Sequence, residues 1–263
     1  MGGIVMKELY EKLYTDADTV YRYDKQRVGL SELSHFVAMK GCKFDQDDVR
    51  LFVIGRAVNG WETLPCETAQ AFSEAAEKEF HAAGFTWIAD NGDSFYSLHN
   101  IPEDGEPTYY LSKSPFWRTV ETIWRELTGS DEFRFIDHIA WSNLYKIAPK
   151  ESGNPTNTMC KKQFAACRDI LEAEIRAYNP THILFITGYD WWYADPVCDF
   201  STLFRNNKRI GSNNEDKSIF AEGTAEYSLN GRTIPVVIAC RPEMRDETAF
   251  TSDITAAFRR SIE

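Results

Sequence analysis

Nowhere does this 263-residue chain run to anything near twenty consecutive apolar residues, the length a helix needs to cross a bilayer. Its amino terminus, MGGIVMKELYEKLY, turns charged at once and lacks the layout of an export signal. Neither membrane insertion nor secretion is expected, and the cytoplasm is the default location. Six cysteines (42, 66, 160, 167, 198 and 240) form no C-x-x-C pair and no tight group, which argues against a zinc ribbon or an iron–sulfur centre. They read as reduced, mostly packed thiols, and no metal or cofactor is called for. A glycine-rich phosphate loop of the G-x-x-x-x-G-K-[ST] or G-x-G-x-x-G type is also missing, which weighs against a phosphate-handling α/β enzyme. Positive charge is scarce too. With 29 cations against 40 carboxylates the formal charge is −11, the wrong sign for a protein that coats nucleic acid without specificity. Any such contact has to be local. One run leans that way: residues 201–214, STLFRNNKRIGSNN, carry Arg205, Lys208 and Arg209 and no acid, either as a weak DNA contact or as solvated surface.

What is present in quantity is apolar and aromatic side chain, 43% and 14% of residues, enough for a sizeable core in one α/β domain. The organising stretch is 51–61, LFVIGRAVNGW. Four apolar residues, Leu51 to Ile54, suit a strand buried on both faces, and Gly55 is expected to end it. In the loop beyond it, Asn59-Gly60 is a turn signal. Because open parallel sheets hold ligands beyond the carboxyl ends of their strands, Asn59 either points into a pocket or simply makes the turn.

Along the chain, residues 1–48 read as a helical lead-in packed on the core, with Leu30, Leu33, Phe36 and Val37 at helical spacing and Gly41 as a stop. Residues 66–83 form a helix on one side of the sheet, and 90–107 a long loop rich in turn signals. Ser114-Pro115 starts another helix, with Phe116, Val120, Ile123, Trp124 and Leu127 on one face and Gly129 at its end. IAWSNL, 139–144, is a second buried strand with Asn143 at its far end, followed by a loop over 146–157. Phe164, Cys167, Leu171, Ile175 and Tyr178 keep the 3.6-residue period until Asn179-Pro180 stops the helix. A third strand, ILFIT, breaks at Gly188, and 189–220 reads as an irregular insertion. Asn230-Gly231 between TAEYSL and RTIPVVIAC is a hairpin signal. Its second arm is the fourth core strand, and a short helix from Thr251 closes the chain. Strands alternating with helices predict a three-layer α/β sandwich around a central, mostly parallel four-stranded sheet.

That order of motifs resembles the uracil-DNA glycosylase superfamily, in particular its mismatch-specific and thermophilic-type branches. The matching pieces are Gly55-Arg56-Ala57-Val58-Asn59-Gly60 for the first strand and loop, Trp141-Ser142-Asn143-Leu144-Tyr145-Lys146 for the second, 183–188 for the third, and 236–243 for the last. The likeness covers residues 49–263, interrupted at 189–220. It implies a DNA glycosylase that hydrolyses the N-glycosidic bond of a deaminated or mismatched base, with DNA, a nucleobase or a nucleotide as ligand and no cofactor. Protein partners are not indicated.

Such a reaction turns the nucleotide out of the stack and develops negative charge on the departing base, so it needs a placed water, an amide to read the base edge and a donor for the anion. The resemblance assigns Asn59 to the water and Arg241 to the anion. Gly55, Phe116 and Asn143 fall to the base, Asn143 because its amide donates and accepts at once. Phe116, in SPFWR, either stacks on the base or begins a core stripe. Met244 and Arg245 stand where the family carries a wedge into the duplex. The chain also departs from the pattern. Its first loop has no carboxylate before Glu62, Arg241 replaces a His and Glu243 replaces a Ser. Losing acid/base assistance costs about 10²- to 10⁴-fold in rate. A non-catalytic protein that binds a nucleobase, nucleotide or nucleic acid on the same scaffold is therefore the alternative reading.

Overall fold

The computed structural model describes residues 6–23, 33–57, 68–82, 84–85, 111–150, 153–193 and 198–262. Asn59, Gly60 and Glu62, with the expectations for the first loop, lie outside the described residues. Nine strands and six α-helices are described. The strands are β1 (Leu33–His35), β2 (Met39–Lys40), β3 (Leu51–Ala57), β4 (Ile139–Tyr145), β5 (Ile147–Pro149), β6 (His182–Ile186), β7 (Arg205–Arg209), β8 (Ala221–Leu229) and β9 (Arg232–Ala239). The helices are α1 (Met6–Tyr23), α2 (Ala69–Phe80), α3 (Pro115–Thr128), α4 (Asn157–Tyr178), α5 (Tyr189–Trp192) and α6 (Glu247–Ile262).

The main sheet has seven strands in the order β2-β4-β3-β6-β9-β8-β7. A four-stranded sheet, as expected from the sequence, is too small. Four strands, β4-β3-β6-β9, do pair in parallel. Antiparallel pairing then adds β2 on one flank and β8 and β7 on the other. In chain order the parallel strands run second, first, third, fourth, so the connection changes sides between β3 and β6. A crevice opens beyond the carboxyl ends of strands at such a reversal.

Strict alternation places the core on both faces. From β3, Phe52 and Ile54 join one hydrophobic cluster with Tyr10 of α1, Phe72 of α2 and Leu171 of α4. Leu51 and Val53 join the other, with Trp117 and Ile123 of α3 and Phe250 and Ile254 of α6. Every residue of Leu51–Ile54 is fully buried, as a run without polar interruption requires in a sheet covered on both sides. At about 25 cal/mol per Å², such side chains are each worth about 1.5–3 kcal/mol.

Several boundaries differ from those the sequence suggested, each for a physical reason. β3 does not stop at Gly55 but pairs on to Ala57, opposite Tyr145. Residues 33–35 are a strand, not helix: everything from 33 to 39 is buried, so the run has no solvent face to give a helical stripe. The segment 146–157 contributes β5, which pairs with β1. The stretch 189–220 is not wholly irregular, since it supplies α5 and the sheet-edge strand β7, all five of whose residues are exposed. The last helix begins at Glu247 instead of Thr251. Elsewhere local chemistry behaves as read. Pro115 stands in the first turn of α3 and Gly129 ends it at φ 69°. Asn179 caps α4 at φ 50°, and Asn230 and Gly231 both turn the β8–β9 hairpin with positive φ.

Candidate functional site

Two constellations form where the parallel strands end. The first joins β3 to β4. Their register sets Gly55 beside Asn143, and a Cβ on Gly55 would meet the Asn143 Oδ1 at 2.4 Å. Any larger residue there would force that amide to shift. Asn143 is 2% exposed, and its Nδ2 has no hydrogen-bond acceptor among the described residues. An orphaned buried donor costs about 1–3 kcal/mol, so a partner is owed to this atom.

Beneath Asn143 lies a buried ionic cluster. Lys146 and Glu174 are both fully buried and 2.8 Å apart. The Lys146 ammonium donates to the Asn143 carbonyl at 2.8 Å and to the Ser142 hydroxyl at 2.5 Å, and Ser142 in turn donates to Glu174 at 2.7 Å. Burial pushes the Glu174 carboxyl above its ordinary range, with Lys146 and Ser142 pulling the other way. β2 pairs only with Ala140 and Trp141, so the ammonium serves the strand where no neighbouring strand does. Gln163 continues this edge by bonding both the N–H and the carbonyl of Ile147, at 3.0 and 2.8 Å.

The second constellation is a cleft of about 190 Å³ at the sheet's reversal point, lined from β3 by Arg56, from beyond β6 by Gly188 and Trp191, and from beyond β9 by Cys240, Arg241 and Arg245. Arg56 is held in place. Its Nε donates to the Thr187 carbonyl at 2.5 Å, and its guanidinium lies 4.9 Å from the centre of the Trp191 ring. Gly188, at φ 79°, makes space for it, since a Cβ there would lie 3.2 Å from Nη2. Burial, then the neighbouring Arg241 charge, lowers the Arg56 pKa to about 10. Two carboxylates share the lining, Asp190 and Glu222. Glu222 is committed to backbone: one oxygen accepts from the Tyr189 N–H at 2.8 Å and the other from the Asn213 N–H at 2.9 Å.

Of the sequence-designated residues, Gly55, Asn143, Arg241 and Arg245 fall in these two places, and Phe116, Met244, Arg205, Lys208 and Arg209 line neither. Asn143 and Gly55 come together in the first. Arg241 reaches the cleft, but its Nε also contacts both oxygens of Glu243, at 3.1 and 3.0 Å. Arg245 lines the same cleft, and its Nε is buried without an acceptor among the described residues. Met244 sits in the third position of a turn closed by the Arg245 N–H and the Pro242 carbonyl at 3.1 Å, with φ 60° and 97% exposure. Phe116 is partly buried and meets Trp117 edge-on at 4.9 Å, on the outside of a cluster that continues to Trp141. Of the basic run, Arg205 approaches Glu226 at 3.3 Å and Arg209 lies 5.1 Å from the centre of the Tyr189 ring, which borders the cleft. Lys208 is exposed.

Sequence patterns did not point to Arg56, Gly188, Trp191, Glu222 or the Lys146–Glu174 pair. A signal existed for Arg56 alone, a cation breaking an apolar strand pattern directly after its glycine. No protein-family model matches the chain, and no curated protein sequence matches it.

Proposed function

We propose that this chain recognises a nucleobase on a scaffold of the uracil-DNA glycosylase kind and that its reaction is N-glycosidic hydrolysis. The observation that carries the reading is the buried, unpartnered Nδ2 of Asn143, whose amide sits against Gly55 near the end of β4. A carboxamide there offers one donor and one acceptor to the edge of a flat heterocycle. Phe116, at the start of α3, supplies a ring for stacking, and Arg241 a permanent cation for the departing anion. The order of the four parallel strands, with the cleft at their reversal, supports the same reading. Fold alone does not carry activity, so the assignment rests on the site.

Binding without hydrolysis is the second reading, and two contacts favour it. Arg241 is engaged by Glu243, which competes with a departing anion for that cation, and Glu222 uses both oxygens on backbone N–H groups and so is not free as a base. Incubation with duplexes containing uracil, hypoxanthine or a thymine mismatch at low salt, and with the matching single strands, decides between them. Alkali-labile strand breaks that disappear in Asn143→Ala are expected if hydrolysis is the function. Retention without breaks selects the binder, and neither breaks nor retention on any substrate refutes nucleobase recognition in DNA.

A further inference from the structure

The arginine cleft carries an inference that does not depend on base reading. Three guanidiniums, Arg56, Arg241 and Arg245, line one space of about 190 Å³ in a protein whose formal charge is −11. Like charges brought together out of water raise each other's energy unless an anion joins them. For Arg241 the compensation is internal, through Glu243. Arg56 forms no ion pair among the described residues; it is fixed by a carbonyl, a glycine and an indole. Arg245 is the third case, with a buried Nε that lacks an acceptor among the described residues. Glu243, Glu222 and Asp190 act on Arg56 through space, but burial and the Arg241 charge outweigh them. Glu222 is turned to the backbone N–H groups of Tyr189 and Asn213, and Asp190 forms no ion pair with either arginine among the described residues.

We propose that this cleft is a phosphate-binding site in which Arg56 and Arg245 grip the phosphate oxygens and Arg241 closes the rim. Guanidinium presents parallel N–H donors that match the oxygens of a phosphate two at a time, which an ammonium cannot do. Pre-organisation is built in: Arg56 cannot swing away without losing the Thr187 carbonyl and the Trp191 face together. With Glu243 paired to Arg241, three guanidiniums stand against three carboxylates, so a phosphate is held here by aimed donors and not by a surplus of charge. That phosphate belongs either to a free nucleotide or to a nucleic-acid backbone.

Titration of the full-length protein with inorganic phosphate, deoxyuridine 5′-monophosphate and an unphosphorylated oligothymidylate, followed calorimetrically at constant ionic strength, tests this. Inorganic phosphate is expected to bind, and Arg56→Gln and Arg245→Gln should each weaken it by about tenfold or more, the usual worth of a charge-assisted hydrogen bond. Tighter binding of the monophosphate than of the oligonucleotide assigns a free nucleotide; the reverse assigns the backbone. Asn143→Ala should leave inorganic phosphate binding unchanged, so loss of base recognition and loss of this site are separable. Failure of wild-type protein to bind any of the three probes at millimolar concentration overturns the proposal. So does binding that stays within twofold in both arginine variants, provided their thermal unfolding matches wild type.

Discussion

A single hydrogen at Gly55 is what allows Asn143 to occupy its place. Gly55→Ala drives a methyl group to 2.4 Å from the amide oxygen, and overpacking of that kind costs about 1–3 kcal/mol. The expected result is a lower urea midpoint together with loss of any nucleobase response. Asn143→Ala, by contrast, removes an orphaned donor and leaves the Lys146 bond to the main-chain carbonyl in place. It should unfold near the wild-type midpoint while abolishing base recognition; a melted protein would make Asn143 a structural tie. At this scale the sequence was partly legible. Asn143 and Arg241 stand out as polar side chains late in, or just beyond, apolar strand patterns, whereas Glu222 and Lys146 do not. Both are made functional by partners distant along the chain, Asn213 by nine residues and Glu174 by 28, and no local pattern records such a pairing.

Between elements, the Lys146–Glu174 pair fastens β4 to α4. Removing one partner leaves a bare charge in the core, so Lys146→Met should cost about 3–5 kcal/mol. The double variant Lys146→Met/Glu174→Leu should recover much of that loss, because two apolar groups need no counter-charge. Urea unfolding of the three proteins checks this, and a double variant as unstable as the single one would show that the ion pair itself holds the elements together. Helices and hairpins with strong local grammar were legible from sequence. α3 has Pro115 and Gly129 at its ends, and β8–β9 has Asn230-Gly231. Short edge strands were not: β2 has two residues, and β7 has the polar sequence RNNKR with every residue exposed. Their pairing is decided by the neighbouring strand, not by their own composition. Exposed cations on β7 also discourage edge-to-edge association.

At the scale of the whole molecule, two histidines give stability a pH dependence. Burial lowers the pKa of both His35 and His182 from 6.5 to about 4. The unfolded chain therefore takes up protons that the folded chain refuses. The stabilising contribution is complete above pH 6.5 and drains away as pH falls toward 4, at most about 3 kcal/mol per histidine. His35 packs edge-on against Phe72, so His35→Phe should flatten the loss between pH 6.5 and 4; an unchanged slope would show that His35 does not carry it. The α/β class and the strand-ends-in-a-loop design were readable because buried parallel strands leave long apolar runs. The extra strands that widen the sheet to seven, and the cleft at its reversal, depend on the order in which strands pair, which periodicity does not encode.

We propose that the ends of β3, β4, β6 and β9 serve one ligand, its base toward Asn143 and its phosphate toward Arg56. Amide and tryptophan-indole NMR shifts on titration with deoxyuridine 5′-monophosphate test that arrangement most directly. Perturbations are expected to concentrate at 55–57, 143, 188–191 and 240–245, with the Trp191 indole among them. Shifts confined to the β7 edge or to the outer face of α6, or none at saturating nucleotide, would contradict it.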